Sequence, residues 1–235
     1  TDPPRVVRTT AGALISPAPG PPLRAALRRH SRDWRRWDLP VIVSLAPSTA
    51  DEAGRMAEVL TGYDWVQGIE LDPVAGMSVE ELGACLRAVR EAAGVPCLAR
   101  IPFEGHLPAA AAAQEAGADA IVLSAPPTGL VRDGGRWVTG ELHSPALHPL
   151  YVQRVREVAA SATVSLIARA DICNPQDALA LLAAGACALQ LASILWVRPE
   201  IIAEVYETLE AEMAPRSLSC WDDLLVALRG PHGDG

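Results

Sequence analysis

Five charged residues, Asp72, Arg100, Glu104, Arg169 and Asp171, are the ones whose types and spacing suggest chemistry. Each follows closely on an apolar run of strand length, so each falls at or just past the C-terminal end of a strand. In parallel α/β proteins that is the end where ligands collect. Two arginines there can clamp a carboxylate or a phosphate through paired N–H donors, and Asp72 can act as a base. Asp72, Arg169 and Asp171 are therefore candidate ligand-binding residues. In the competing reading, charges of opposite sign in nearly equal number neutralise one another and fill a cavity. His143 and His148 read as solvated loop histidines, because they are not at metal-ligand spacing on a predicted helix, and no metal site is expected. Trp137, nearby, either covers a pocket or packs within a lid.

The elements that must hold these residues are regular. Val164 to Ala170 is a buried strand, and Asn174 then caps a helix with Pro175 at its first position and Asp177 in its first turn. Ala186 to Ser193 is the next strand. The same alternation runs through Pro40 to Ala46, Gly68 to Pro73, Pro96 to Pro102 and Ala120 to Ala125. Helices are expected over Leu23 to Trp37, after Asp51 as far as Leu60, from Ser78 to Ala93, over Pro108 to Gly117 and over Leu150 to Ala160. Ser78 and Glu81 have the spacing of a capping box. Beyond Pro199, the segments to Leu209 and from Trp221 to Leu228 read as closing helices, and Pro231 to Gly235 as a frayed tail. Proline density marks Thr1 to Pro22 as irregular, and Pro126 to Pro149 reads as a long loop. An internal repeat places Gly117-Ala118 and Gly185-Ala186 at equivalent helix ends, where glycine permits a left-handed turn into the following strand. Near-continuous apolar strands need both sheet faces covered, so the class is α/β. Six strands are visible, two short of a (β/α)8 barrel, and periodicity does not choose between a TIM barrel and a doubly wound sheet.

Composition narrows the partners. The 235 residues carry a formal net charge of −8, which disfavours nucleic acid and anionic membranes as partners. No apolar run approaches the ~20 residues that span a bilayer. All positive side chains are arginine, so Schiff-base chemistry and a lysine base are excluded. Cys85, Cys97, Cys173, Cys187 and Cys220 are odd in number and irregularly spaced, so they read as free thiols in a reducing cytoplasm. The arginine-rich face of Arg24, Arg28, Arg29, Arg32, Arg35 and Arg36 is a solvated surface or a contact for an acidic partner. Trp34 and Trp37, three apart, share a face that packs against the body.

From Asp2 to about Ile202 the chain resembles the class 1 dihydroorotate dehydrogenases. The matching pieces are Pro3-Pro4-Arg5-Val6-Val7-Arg8-Thr9 with Ala11-Gly12, Pro40 to Ala46, Gly140 to Leu150, Asp177-Ala178-Leu179 with Ala184-Gly185-Ala186, and Leu189-Gln190-Leu191. The resemblance implies a single barrel domain over residues 1–235, FMN as cofactor and a role in pyrimidine synthesis. It also implies that two barrel strands precede the first residue here, leaving either a fragment or an incomplete barrel that needs a homo-oligomer or protein partner. By the same resemblance Ser44, Arg100, Gly140 and Ser193 are the cofactor-binding candidates. Other positions depart from the family. The cysteine base falls on Ala75, orotate-binding asparagines fall on Ile15 and Ala125, and the phosphate Gly-Gly falls on Ala170-Asp171. The second phosphate turn, Gly-Thr, falls on Ala192-Ser193. The expectation is thus a flavin oxidoreductase by ancestry whose family activity is lost or changed. A non-catalytic structural or regulatory subunit is the alternative.

Overall fold

A computed structural model of the protein describes residues 5–16, 20–74, 76–123 and 126–230. A hairpin of β1 (Arg5–Thr9) and β2 (Gly12–Ser16) leads into α1 (Leu23–Arg36). Strands and helices then alternate as β3 (Val41–Leu45), α2 (Ala50–Leu60), β4 (Val66–Leu71), α3 (Val79–Ala92), β5 (Cys97–Ile101), α4 (His106–Glu115) and β6 (Ala120–Leu123). A second hairpin, β7 (Thr128–Asp133) and β8 (Arg136–His143), interrupts the alternation. It resumes with α5 (His148–Ala159), β9 (Ser165–Arg169), α6 (Pro175–Ala183) and β10 (Ala188–Gln190), followed by α7 (Ile201–Met213) and α8 (Trp221–Arg229).

Six of these strands pair in parallel in the order β10-β9-β6-β5-β4-β3. That order never reverses along the chain. A doubly wound sheet reverses at its switch point, so the sheet is part of a (β/α) barrel. Its curl is set by a contact across the inner face, where the Gln190 side chain on β10 donates to the Glu70 carboxylate on β4 at 2.7 Å. Three strands separate these two. At ~4.8 Å per strand spacing a flat sheet would hold them ~19 Å apart. The sheet is therefore a curled half barrel, with β3 and β10 as its edges.

Alternation along the strands divides the side chains between two faces. Ile69, Leu71, Ala99, Ile101, Ile121 and Leu166 point outward and pack under the helices in the main core. Leu98, Ala120 and Val122 point inward and form a small apolar layer with Ile167. The helices begin where their caps dictate. Asn174 accepts from the Asp177 amide at 3.1 Å while the Asp177 carboxylate accepts from the Asn174 amide at 3.2 Å, and Ser78 and Glu81 make the same reciprocal pair. Gly185 takes φ +125°, and a Cβ there would lie 2.4 Å from that of Ala159, so only glycine lets the turn into β10 pack against α5.

Two expectations are corrected. The segment over Thr1 to Pro22 is not irregular throughout, since residues 5–16 form the first hairpin. The prolines fall outside it, and Arg5-Val6-Val7-Arg8-Thr9 is a proline-free, β-branched run. The supposed loop from Pro126 to Pro149 contains the β7–β8 hairpin, turned by Gly134 and Gly135, both at positive φ as a two-residue hairpin turn requires. Strand β8 also pairs with β2, joining both hairpins in a four-stranded antiparallel sheet ordered β1-β2-β8-β7. On α1, Trp34 packs against Trp65 with ring centroids 5.5 Å apart, but Trp37 is 57% exposed, beyond the helix end. Ala75, Ala125 and the tail Pro231 to Gly235 lie outside the described residues.

Candidate functional site

Above the apolar layer, the inner face of the half barrel is polar. Ser44, Glu70, Arg100, Arg169 and Gln190 reach it from strands, and Asp72 from the residue after β4. Glu70 and Arg100 are only 5% and 7% exposed, so their charges need partners. Arg100 is paired with Asp72 at 2.5 Å and with Glu141 of β8 at 3.6 Å. Glu70 accepts from Gln190 and, at 3.4 Å, from the Ser44 hydroxyl. Burial raises the Asp72 carboxyl above its usual range, with Arg100 pulling the other way.

A second cluster sits where β8, β9 and β10 end. One Asp171 carboxylate oxygen accepts from the Ser193 hydroxyl at 3.0 Å and lies 3.0 Å from His143 Nδ1. The other accepts from the Ser144 backbone N–H at 3.0 Å. Ser144 is held by its own hydroxyl, which donates to the Ala11 carbonyl at 2.6 Å and ties the first hairpin to the cluster. His143 Nε2 faces Glu141 at 3.6 Å. Burial works against charge on this imidazole, but its hydrogen bonds to Asp171 and Glu141 and their charges outweigh it, and its pKa is pushed up to about 9. Burial likewise opposes the Asp171 carboxylate, yet His143, Ser193 and the Ser144 amide hold its pKa below the ordinary value. Hydrogen bonding to His143 does the same for Glu141. The cluster is an ionised Glu141–His143–Asp171 relay at neutral pH.

Arg169 lies between the two clusters, and its side chain makes no hydrogen bond or ion pair with any described residue. Burial and the nearby Arg100 charge lower its pKa. It lines a small cavity with Pro126, His143, Tyr151, Ala170, Asp171 and Ala192. The hydroxyl of Tyr151, a residue 2% exposed, also has no partner among the described residues.

The structure thus brings together Ser44, Asp72, Arg100, Arg169, Asp171 and Ser193, while Glu104 stays exposed in solvent. Gly140 has a structural reason to be glycine: a Cβ there would lie 2.5 Å from the Ile15 carbonyl oxygen of β2. The solvated-loop reading of the histidines is corrected, because the His143 and His148 side chains are 14% and 16% exposed. Trp137 is 69% exposed. Glu70, Glu141 and Gln190 were not singled out from sequence, being single polar positions within strands. Among the described residues no group of three or more His, Cys, Asp and Glu is placed to hold a metal ion, and no helix is long and apolar enough to cross a membrane.

No protein-family model matches the chain. It is similar to the catalytic subunit of dihydroorotate dehydrogenase B (NAD(+)) from Desulforudis audaxviator, 30% identical over 250 residues, covering 98% of this chain and 81% of that protein. The corresponding subunit from Bacillus pumilus is 26% identical over 241 residues, covering 94% and 78%. Among solved structures, the dihydroorotate dehydrogenase of Eimeria tenella in complex with ferulenol superposes with a TM-score of 0.72 over 94% of this chain and 72% of that one. At 14% identity that likeness shows a shared fold.

Proposed function

The chain belongs to the dihydroorotate dehydrogenase family, and from that premise we propose that it is a member in which the flavin-dependent family reaction has been lost. It acts instead as a non-catalytic structural or regulatory subunit. The observation that carries this reading is the Asp171 carboxylate at the ends of β9 and β10. FMN, the cofactor expected from the family, would place its phosphate near donors at these strand ends. Here the Ser144 N–H, the Ser193 hydroxyl and the His143 imidazole already serve a carboxylate of the protein itself. A second anion a few ångströms away is opposed by ~1 kcal/mol in water and by more where water is excluded. These residues do not fit the phosphate. Lower in the lumen, Arg100 is committed to Asp72 and Glu141, and Gly140 makes room for β2. The base position, Ala75, has no proton acceptor, and losing a positioned base typically costs ~10²–10⁴-fold.

A flavin oxidoreductase with an altered substrate is the second reading. Asp72, raised by burial and facing the lumen, supports it as a base. One experiment separates the two. The purified protein is mixed with excess FMN, freed of unbound flavin, and its visible spectrum recorded. A colourless protein is expected. One bound flavin per chain would overturn the first reading.

The subunit role needs a partner. Apolar side chains are exposed toward both open edges: Trp37, Leu39 and Ile42 before and on β3, and Trp196, Val197 and Tyr206 after β10. Edge strands with apolar surroundings favour association, either between copies or with another chain. Five free thiols fit a reducing cytoplasm.

A further inference from the structure

We propose that the protein associates with a second copy of itself through two oppositely charged helices, α1 of one copy docking on α7 of the other. This names the partner of the subunit described above and rests on that reading. Helix α1 carries six arginines and one aspartate, the largest positive charge of any described helix. Helix α7 carries four glutamates and no basic residue, and is the most negative. In both, the charge faces solvent. On α1, Leu27 is buried in the core and Trp34 packs on Trp65, while all six arginines are exposed. Arg24, Arg28, Arg32 and Arg35 recur every three or four residues and so form one stripe. Among the described residues only Arg35 of the six has an ion pair, with the exposed Asp64. On α7, Ile201 and Val205 are buried, and Ile202, Tyr206, Glu207 and Glu210 form the exposed face. Arg198 and Arg216 occupy Glu204 and Glu212, whereas Glu207 and Glu210 have no ion-pair partner among the described residues.

The two helices flank opposite edges of the half barrel. Helix α1 leads into β3, where Trp37, Leu39 and Ile42 add exposed apolar side chains; α7 follows β10, packs against α6, and has Trp196 and Val197 exposed just before it. An arginine stripe alone would suit any polyanion. A second copy is selected because the chain itself presents the matching surface, glutamates set among exposed apolar residues, while its net charge of −8 works against nucleic acid and anionic membranes. Opposite potentials steer the encounter and fix its register, and the apolar residues buried with them supply affinity. The two patches differ, so the contact is heterologous and each copy offers one patch of either kind.

Charge reversal tests this by sedimentation velocity on the purified full chain. One variant carries Arg28→Glu and Arg32→Glu, the other Glu207→Arg and Glu210→Arg. Both should keep the wild-type melting temperature, since exposed charges contribute little to folding. Each alone should self-associate at least about tenfold more weakly than the wild type, because like charges then meet across the contact. A mixture of the two should restore association: the reversed α1 of one meets the reversed α7 of the other, and the two unaltered helices keep their native pairing. Wild-type association should also weaken as salt rises from about 0.05 to about 0.5 M. If a doubly reversed helix does not fold, Arg32→Glu and Glu207→Arg, mixed in the same way, carry the same test. The proposal is overturned if the reversed variants associate as the wild type does, if the mixture associates no better than either variant alone, or if the wild type stays monomeric at every concentration reached. The flavin experiment reads the cofactor alone, so the two readings fail independently: a flavin-binding protein can still associate through these helices, and a colourless one can remain monomeric.

Discussion

At the scale of single residues, His143 connects the upper cluster. Its pKa is raised to about 9 in the folded protein against 6.5 unperturbed, so its stabilising contribution is complete below about pH 6.5 and is lost as pH rises through about 9. The shift corresponds to about 3 kcal/mol at most. Asp171 and Glu141 are lowered, so their contribution is present above the ordinary carboxylate range and disappears as pH falls through their folded values. The wild-type melting temperature should therefore fall from pH 7 to pH 10, and a His143→Gln variant should be less stable at pH 7 with a flatter alkaline limb. A parallel limb in both proteins would remove His143 as the cause. The two lumen arginines should also differ. Arg100→Ala strands the half-buried Asp72 and Glu141, and urea unfolding should show a loss of about 1–3 kcal/mol. Arg169→Ala breaks no pair and should cost below about 1 kcal/mol. Much of this was legible in sequence, since Asp72, Arg100, Arg169, Asp171 and Ser193 each end an apolar strand. Glu70, Glu141 and Gln190 were not, because a single polar residue within a strand looks the same whether it faces solvent or a lumen. The bland expectation that these charges pair with one another holds for Arg100 and Asp72, whereas Asp171 pairs with His143 instead and Arg169 with no described residue.

At the scale of elements, local chemistry decided where sequence was readable. Caps were visible because a side chain within three residues supplies the missing hydrogen bond. Asn174→Ala should cost about 1 kcal/mol in an unfolding titration. The hairpins were missed for different reasons. Proline near the first one masked a β-branched run, and the second was hidden by its length, although Gly134-Gly135 between Val131-Arg132-Asp133 and Arg136-Trp137-Val138 is a turn signal. Missing β8 hid His143, because a histidine is called solvated only when its strand has not been seen. The antiparallel sheet depends on Gly140 for the close approach of β2. In Gly140→Ala the added methyl meets the Ile15 carbonyl, so β2 should separate from β8. Hydrogen exchange at residues 12–16 should rise well above that of β5 and β6, whereas equal protection would show that β2 shifts to accommodate the methyl.

At the scale of the whole molecule, one unreversed strand order identifies the fold, a property that no single βα unit carries. Sequence periodicity therefore left the barrel and the doubly wound sheet unresolved. Six strands also leave two unpaired edges among the described residues, and the protein should associate reversibly as its concentration rises in sedimentation velocity. Ile42→Lys on β3, a position 48% exposed, should weaken that association with little change in melting temperature. The bridge from Gln190 to Glu70 acts on such a half barrel as a string acts on a bow. The strands between them supply the bend, and the two amide and carboxylate groups keep it from springing open. The width of the gap between β3 and β10 is thus governed from inside the lumen, and any chain that fits the gap has its gauge fixed by a side chain it never touches.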